Sequence, residues 1–461
     1  MFRSTPVVPR PKEYAVTSAN SAGAPSRRSI FAASFVGTSI EWYDYYIFGT
    51  AAALAFGTVF YPKFSSTAGT LAAFATFAVG FIARPLGAAV IGHFGDRVGR
   101  KAMLVLTLLL TGGSTFLIGV LPAFAAIGIA APLLLVVLRV LQGFGVGGEW
   151  GGAVLIATEN ASPGRRAFYG SFAQFGVPIG VLTSNLAFLA VSGMSNASFL
   201  DYGWRIPFLI SLVLVVVGFV VRTRLRDAPE YQKAKRAGEI TRIPFADLVR
   251  RHPRNLVLGS LASIAPPAVG YTVILYMLTY GTTVAGFKRS TLLALILSST
   301  AVWIAAIALA AVIADRLGAK PVYIAGAVTA VLWPLPMFEL VNSRDTWLAL
   351  LAFVVAALVQ GIMAGAQGGL FTEIFDVSVR YSGISVAYQV GGMLGGAVTP
   401  IVATALFASY HSSTPVALYV SALSLVSLVA AVGLRQRRVP GRQGRRVTKG
   451  STSREGRAAS R

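Results

Sequence analysis

Apolar residues along this chain fall into long runs bounded by charged or turn residues. At about 20 residues per bilayer crossing, these runs predict helices near 30–56, 70–92, 102–121, 130–156, 168–191, 204–222, 255–284, 291–314, 321–341, 346–371, 382–408 and 415–434. A polar segment rich in Arg, Lys and Glu, residues 223–254, separates the sixth run from the seventh. The expected division is a tail (1–29), a six-helix bundle (30–222), a central loop (223–254), a second six-helix bundle (255–434) and a basic tail (435–461). The fold class that follows is all-α integral membrane, with twelve transmembrane helices in two pseudo-symmetric bundles.

Composition supports this reading. Of 461 residues, 55 % are hydrophobic and only 12 % charged, with a mean hydropathy of +0.68, and so few charges cannot cover a soluble surface. Little chain is left for a folded catalytic domain outside the bilayer, so an enzyme is not expected. The net charge of +23 would suggest nucleic acid in a soluble protein, but here it follows the topology. With a cytoplasmic N-terminus, the tails and even-numbered loops hold 33 Lys and Arg, while the opposite side holds only Lys63, Arg205, Lys288, Arg289 and Arg344. The chain is therefore placed in the cell (inner) membrane with both termini cytoplasmic. The basic C-terminal tail is read as topological, with anionic headgroups as an added partner and no nucleic acid. There is no cysteine, and the three histidines are scattered, which excludes disulfides and speaks against Cys/His metal sites. No metal and no cofactor is expected. Residues 1–29 are polar, so no cleavable signal peptide is expected.

The halves repeat each other. GHFGDRVGRK (92–101) recurs as IADRLGAK (313–320), pairing Asp96 with Asp315, Arg97 with Arg316, Gly99 with Gly318 and Lys101 with Lys320 at an offset of 219. Gln142-Gly143 and Gln360-Gly361 follow at 218, Arg166 and Arg380 at 214, Gln174 and Gln389 at 215. Duplicated halves in parallel orientation are a transporter architecture with the solute site between them near the bilayer midplane.

Charges deep in membrane helices are costly unless paired or turned to a water-filled path, so each is a functional candidate. Glu41 and Asp44 lie about 17–21 Å into the first helix and three residues apart, hence on one face. Arg84 and Arg139 reach similar depth in the second and fourth helices. A buried carboxylate can hold a proton and release it beside an arginine, which makes Asp44, Glu41 and Arg139 the proton-coupling candidates. An arginine stays charged and suits a carboxylate from protein or solute. The alternative is a set of static ion pairs locking helices together. The run Glu41-Trp42-Tyr43-Asp44-Tyr45-Tyr46 sets aromatic faces beside charge, which could hold a quaternary ammonium or stack on a ring. Arg84, Arg139, Trp42, Tyr43, Tyr45 and Gln142 are the solute-binding candidates. The glycines of RVLQGFGVGGEWGGA (139–153) and GGMLGGAVTP (391–400) let helices approach and slide, and Pro178, Pro266, Pro267, Pro334 and Pro400 supply kinks. In the 92–101 loop, Asp96 can attract the positive end of a neighbouring helix in one conformation and release it in another.

GxxxDRxGRK in that loop and RxxQGxGxG in the fourth helix resemble signature motifs of the major facilitator superfamily. SIEWYDYYIFGTAAA, FIARPLG, GGEWGGA and GWRIPFL resemble its metabolite:proton symporter family, whose members carry shikimate, 2-oxoglutarate, citrate and other carboxylates, or proline and glycine betaine. The resemblance implies a conformational switch at Gly92, Asp96, Arg97, Gly99, Arg100 and Lys101, and a proton-coupling arginine at Arg139. Asp315 and Arg316 stand in the second copy, which departs from the motif with Ala311 for Gly92 and Ala319 for Arg100. Tyr45 and Tyr46 stand where the family often has Phe. The expected function is proton-coupled uptake of a small organic solute, a carboxylate such as shikimate or a dicarboxylate, by a monomer working through alternating access. Proline or betaine uptake, an exporter or uniporter of the same fold, and a membrane enzyme or sensor are the competing readings. No GxxxxGK[ST] loop occurs, which speaks against an ATP-driven pump.

Overall fold

The computed structural model describes residues 27–98, 100–147, 164–224, 252–375 and 380–435, together with 154, 157, 158, 161 and 248–250. The described residues form twelve long helical segments: α1 (27–60), α2 (Ser66–Val98), α3 (Arg100–Val120), α4 (Ala130–Val146), α5 (Arg166–Val191), α6 (196–224), α7 (Pro253–Thr283), α8 (Arg289–Leu317), α9 (319–342), α10 (Thr346–Ile374), α11 (380–410) and α12 (Thr414–Gly433). Eight are individually long and apolar enough to cross a bilayer, and α9 joins them as a span bent by 44° where Pro334 interrupts it. In lipid a continuous helix satisfies every backbone group internally, so apolar runs of this length fold this way. The expected tails, apart from 27–29 and 435, and the central loop, apart from 223–224, 248–250 and 252–254, lie outside the described residues, as do Glu149 and Glu159.

Two features depart from the sequence reading. The α2 helix continues through Val98 instead of ending near 92, because its hydrogen-bonded ladder carries on past the hydrophobic boundary. Wide π turns interrupt α1 at 52–56 and α7 at 272–276, the same place in each half, and α6 and α11 at 199–203 and 393–397. Such turns have no hydropathy signature.

Packing carries the duplication into three dimensions. The α1 helix lies on α5, α2 on α4, and α3 on α4 and α6. The second half repeats these pairs six helices later: α7 on α11, α8 on α10, and α9 on α10 and α12. The halves meet through α2 with α11 and α5 with α8, pairs that exchange under the same symmetry, and through α1 with α7. Glycine sets the closest approaches. A methyl group on Gly143 would run into the Gly80 carbonyl, and one on Gly87 into that of Phe144, so α2 and α4 touch backbone to backbone. Gly365 against the Ile307 carbonyl does the same for α10 and α8. Outward faces of α3, α4, α6 and α12 expose Leu109, Leu133, Val213 and Val429, as lipid contact requires.

Candidate functional site

Between the bundles lies a central cavity of about 50 Å³, room for a few waters. Its walls are Trp42 and Tyr46 of α1, Phe81 and Arg84 of α2 and Gln174 of α5 on one side. Ser263, Pro266, Pro267 and Tyr271 of α7, Trp303 of α8, Gln360 and Gln367 of α10 and Tyr388 of α11 face them. No carboxylate lines it among the described residues. Arg84 is 3 % exposed, and its Nε and Nη2 have no hydrogen-bond partner. The Trp303 Nε1 donor is likewise unpartnered. The Gln174 amide donates to Gln367 Oε1 at 2.9 Å, closing the floor across the bundle interface.

Both buried arginines rest on aromatic faces. The Arg84 guanidinium carbon lies 4.2 Å from the Tyr45 ring centre and 4.8 Å from that of Phe81. For Arg139 the distances are 4.3 Å to Tyr45, 4.3 Å to Phe48 and 4.8 Å to Phe77. Its Nε and Nη2 both donate to the Phe77 carbonyl at 3.3 Å, and its Nη1 donates to Gln142 Oε1. Gln142 in turn donates to Thr115 Oγ1 at 2.8 Å and to the Asp44 backbone carbonyl at 3.2 Å. Asp44 is 1 % exposed, has Thr115 as its hydrogen-bonding neighbour, and leaves Oδ1 without a partner. It forms no ion pair with either arginine. A chain of contacts therefore runs from the cavity through Arg84, Tyr45, Arg139, Gln142 and Thr115 to Asp44.

Of the expected solute contacts, Trp42 and Arg84 line the cavity. Tyr45 stands one layer behind as the shared ring, and Arg139 and Gln142 lie deeper, inside the first bundle. Tyr43 turns away to donate to the Pro207 carbonyl on α6 at 2.7 Å. Glu41 is half-buried on α1, within electrostatic reach of Tyr388. Gly99, the surroundings of Gly92 and the side chains of Asp96, Arg97, Arg100 and Lys101 lie outside what is described. The second copy of that loop is described. Asp315 accepts from the backbone N–H groups of Ala167 at 2.8 Å and Phe168 at 3.1 Å, capping α5 from the other half. Lys320 donates to the Val432 and Leu434 carbonyls at the end of α12, while Arg316 is exposed. Sequence reasoning missed Tyr271, Trp303, Gln367 and Tyr388, neutral residues with no charge to betray them. The internal repeat flagged Gln174 and Gln360 without assigning them a wall.

A profile of the Major Facilitator Superfamily matches residues 34–385 and 296–458. This chain belongs to the major facilitator superfamily. The chain is 40 % identical over 411 residues to the inner membrane metabolite transport protein YhjE of Escherichia coli (strain K12), covering 88 % of this chain and 93 % of that protein. It is 40 % identical over 407 residues to the Shikimate transporter of the same organism, covering 87 % and 92 %. To the Proline/betaine transporter of Salmonella typhimurium it is 30 % identical over 420 residues, covering 89 % and 83 %. Its fold is that of a D-xylose-proton symporter crystal structure, with a TM-score of 0.70 at 20 % identity, over 88 % of this chain and 96 % of that one. The protein is a multi-pass membrane transporter of this superfamily and not an enzyme.

Proposed function

We propose that this transporter takes up a small carboxylate together with a proton, the solute carboxylate resting on Arg84 and the proton on Asp44. The observation that carries the reading is Arg84: a buried cation in the wall of the interfacial cavity, with two unpartnered guanidinium nitrogens and no carboxylate in that wall among the described residues. A buried charge left unpaired is strongly unfavourable, and a solute carboxylate supplies its partner with charge-assisted hydrogen bonds. The Trp303 N–H and the Gln174, Gln360 and Gln367 amides suit hydroxyl groups on the same solute. The relatives named for metabolite and shikimate transport agree with this chemistry.

Asp44 supports the coupling. An ionised carboxylate this deep, with an unpartnered oxygen and no ion pair, would be several kcal/mol out of place, whereas a carboxyl holding a proton fits. The closed cavity described here has room for a few waters, so it must widen as the bundles part to admit the solute. When the bundles rock open towards the side bearing both termini, Arg139 is free to leave the Phe77 carbonyl and Gln142 for Asp44, expelling the proton as Arg84 loses the solute. That side is cytoplasmic by the distribution of Lys and Arg, and the cell membrane is the setting. A monomer contains every group the cycle uses.

The aromatic wall of Trp42, Tyr46, Tyr271 and Tyr388 favours a second reading, a betaine or imino acid whose cation packs on those rings. Competition in proteoliposomes with shikimate, 2-oxoglutarate, citrate, proline and glycine betaine decides between them. Carboxylates without a cationic group should inhibit uptake; inhibition by betaine and proline alone would transfer the assignment to the second reading.

A further inference from the structure

On the face of the protein opposite the termini, the second bundle carries another cavity, of about 320 Å³, open to the outside and lined by Tyr280, Asn342, Arg344, Phe407, His411 and Ser413 among others. Its size is within the range of small-molecule sites. Three elements build it: the distal turn of α7, the α9–α10 connection and the α11–α12 connection. Its wall is a connected polar chain, with the Tyr280 hydroxyl donating to Asn342 Oδ1 at 2.5 Å and the Asn342 amide donating to Ser413 Oγ at 3.0 Å.

Two backbone outliers meet there. Where the described chain needs a positive φ it uses glycine four times, at Gly128, Gly164, Gly286 and Gly318. The two non-glycine exceptions among the described residues are Arg344 at +62° and His411 at +50°, and both line this cavity. His411 directly follows the end of α11 and Arg344 comes one residue after the Ser343 cap of α9, positions where glycine or asparagine is the unstrained choice. Strain kept at two positions that converge on one cavity points to a use for the side chains placed there. Those side chains are a guanidinium and an imidazole, both on exposed residues at the mouth of the cavity, and neither has a protein partner among the described residues. The neighbouring Asp345 is engaged in capping α10, accepting from Trp347 and Leu348, and no carboxylate is part of the cavity wall.

We propose that this cavity is a second binding site, distinct from the central one, for a small carboxylate held by Arg344 and His411 with hydrogen bonds from the Asn342–Ser413 chain. Its position gives it purchase on the distal gate. Thr279, adjacent to Tyr280 on α7, donates to the Ala53 carbonyl of α1 at 3.1 Å, so a single turn of α7 carries both one of the contacts between the halves and a wall of the cavity. An occupant that ties α7 and α11 to the α9–α10 connection acts on the opening of that gate.

The test uses the full chain in nanodiscs of zwitterionic lipid, titrated calorimetrically with shikimate as a hydroxylated monocarboxylate and with inorganic phosphate at matched ionic strength. The expected result is a binding event that persists in Arg84→Gln and weakens at least tenfold when Arg344→Asn and His411→Asn are combined. Asparagine accepts the left-handed backbone, so the doubly substituted chain should melt no lower than its parent. The pair Arg344→Gly and His411→Gly should bind as weakly and melt higher, which separates lost ligation from lost folding. An Arg84-independent event that is absent, that both pairs leave unchanged, or that phosphate fills as well as shikimate overturns the proposal. The central-site reading fails by a different sign, namely Arg84→Gln leaving every binding event intact.

Discussion

Gly80→Ala tests whether the position of Arg139 governs transport. A methyl group at Gly80 would stand 2.6 Å from Arg139 Nε, 2.9 Å from Cζ and 3.2 Å from Cδ, whereas ordinary contact begins at 3.4 Å, a shortfall of about 0.8 Å at the first atom. Arg139 is fully buried and walled by Tyr45, Phe48 and Phe77, so the guanidinium can yield only by loosening its two 3.3 Å bonds to the Phe77 carbonyl. Overpacking of this kind costs about 1–3 kcal/mol. If about 2 kcal/mol falls on the transport cycle, initial uptake drops roughly 30-fold. The control is built into the neighbouring helix: Gly113 of α3 has nothing within 4 Å, and Gly113→Ala should be neutral or slightly stabilising. The assay is initial solute uptake in proteoliposomes, with the melting midpoint measured on the same samples. Uptake by Gly80→Ala within twofold of Gly113→Ala would refute the reasoning.

Arg84→Gln keeps the shape of the wall but removes the cation, so KM for a carboxylate should rise by about 2 kcal/mol, roughly 30-fold, in uptake kinetics; an unchanged KM contradicts the assignment. Asp315→Asn weakens a charge-assisted cap across the bundle interface by about 1 kcal/mol, shifting the closed-to-open ratio roughly fivefold. Because the chain has no cysteine, alkylation of a single one introduced beside Ala167 reads that shift directly, and an unaltered rate counts against it. Tyr45→Leu removes the ring on which both guanidinium groups rest, while Tyr45→Phe keeps it. Accumulation at a fixed pH gradient should therefore fall in the first and persist in the second, and equal losses in both would show that the hydroxyl, not the ring, matters.

Helices were legible because hydropathy sums over 20 residues and lipid leaves the chain no other backbone solution. Ends were less so: Asp96 and Arg97 break the apolar run within 93–98, yet α2 continues through them, and the π turns of α1 and α7 have no compositional trace. Depth in the membrane drew attention to Asp44, Arg84 and Arg139, but depth does not give direction. Trp42 and Tyr46, four residues apart, face the second bundle, while Asp44 lies behind them against Thr115 and Gly112 of α3. The sequence also left open that these buried acids and arginines form static ion pairs locking helices together. Instead, aromatic faces and a backbone carbonyl hold the cations, partners that become visible only when four helices are brought together. The cavity wall in the second bundle is neutral, made of Gln, Tyr and Trp, and cost arguments about buried charge could not single it out.

The central claim is that Asp44 carries the transported proton while Arg84 carries the solute. Accumulation of a radiolabelled carboxylate in proteoliposomes under an imposed pH gradient, with and without Asp44→Asn, tests it most directly. One coupled proton makes each pH unit worth about 1.4 kcal/mol, a tenfold concentration ratio. The unaltered chain should reach that ratio, and Asp44→Asn, having lost no ion pair, should stay folded and bring the solute only to equal concentrations on both sides. A tenfold ratio in Asp44→Asn would contradict the account.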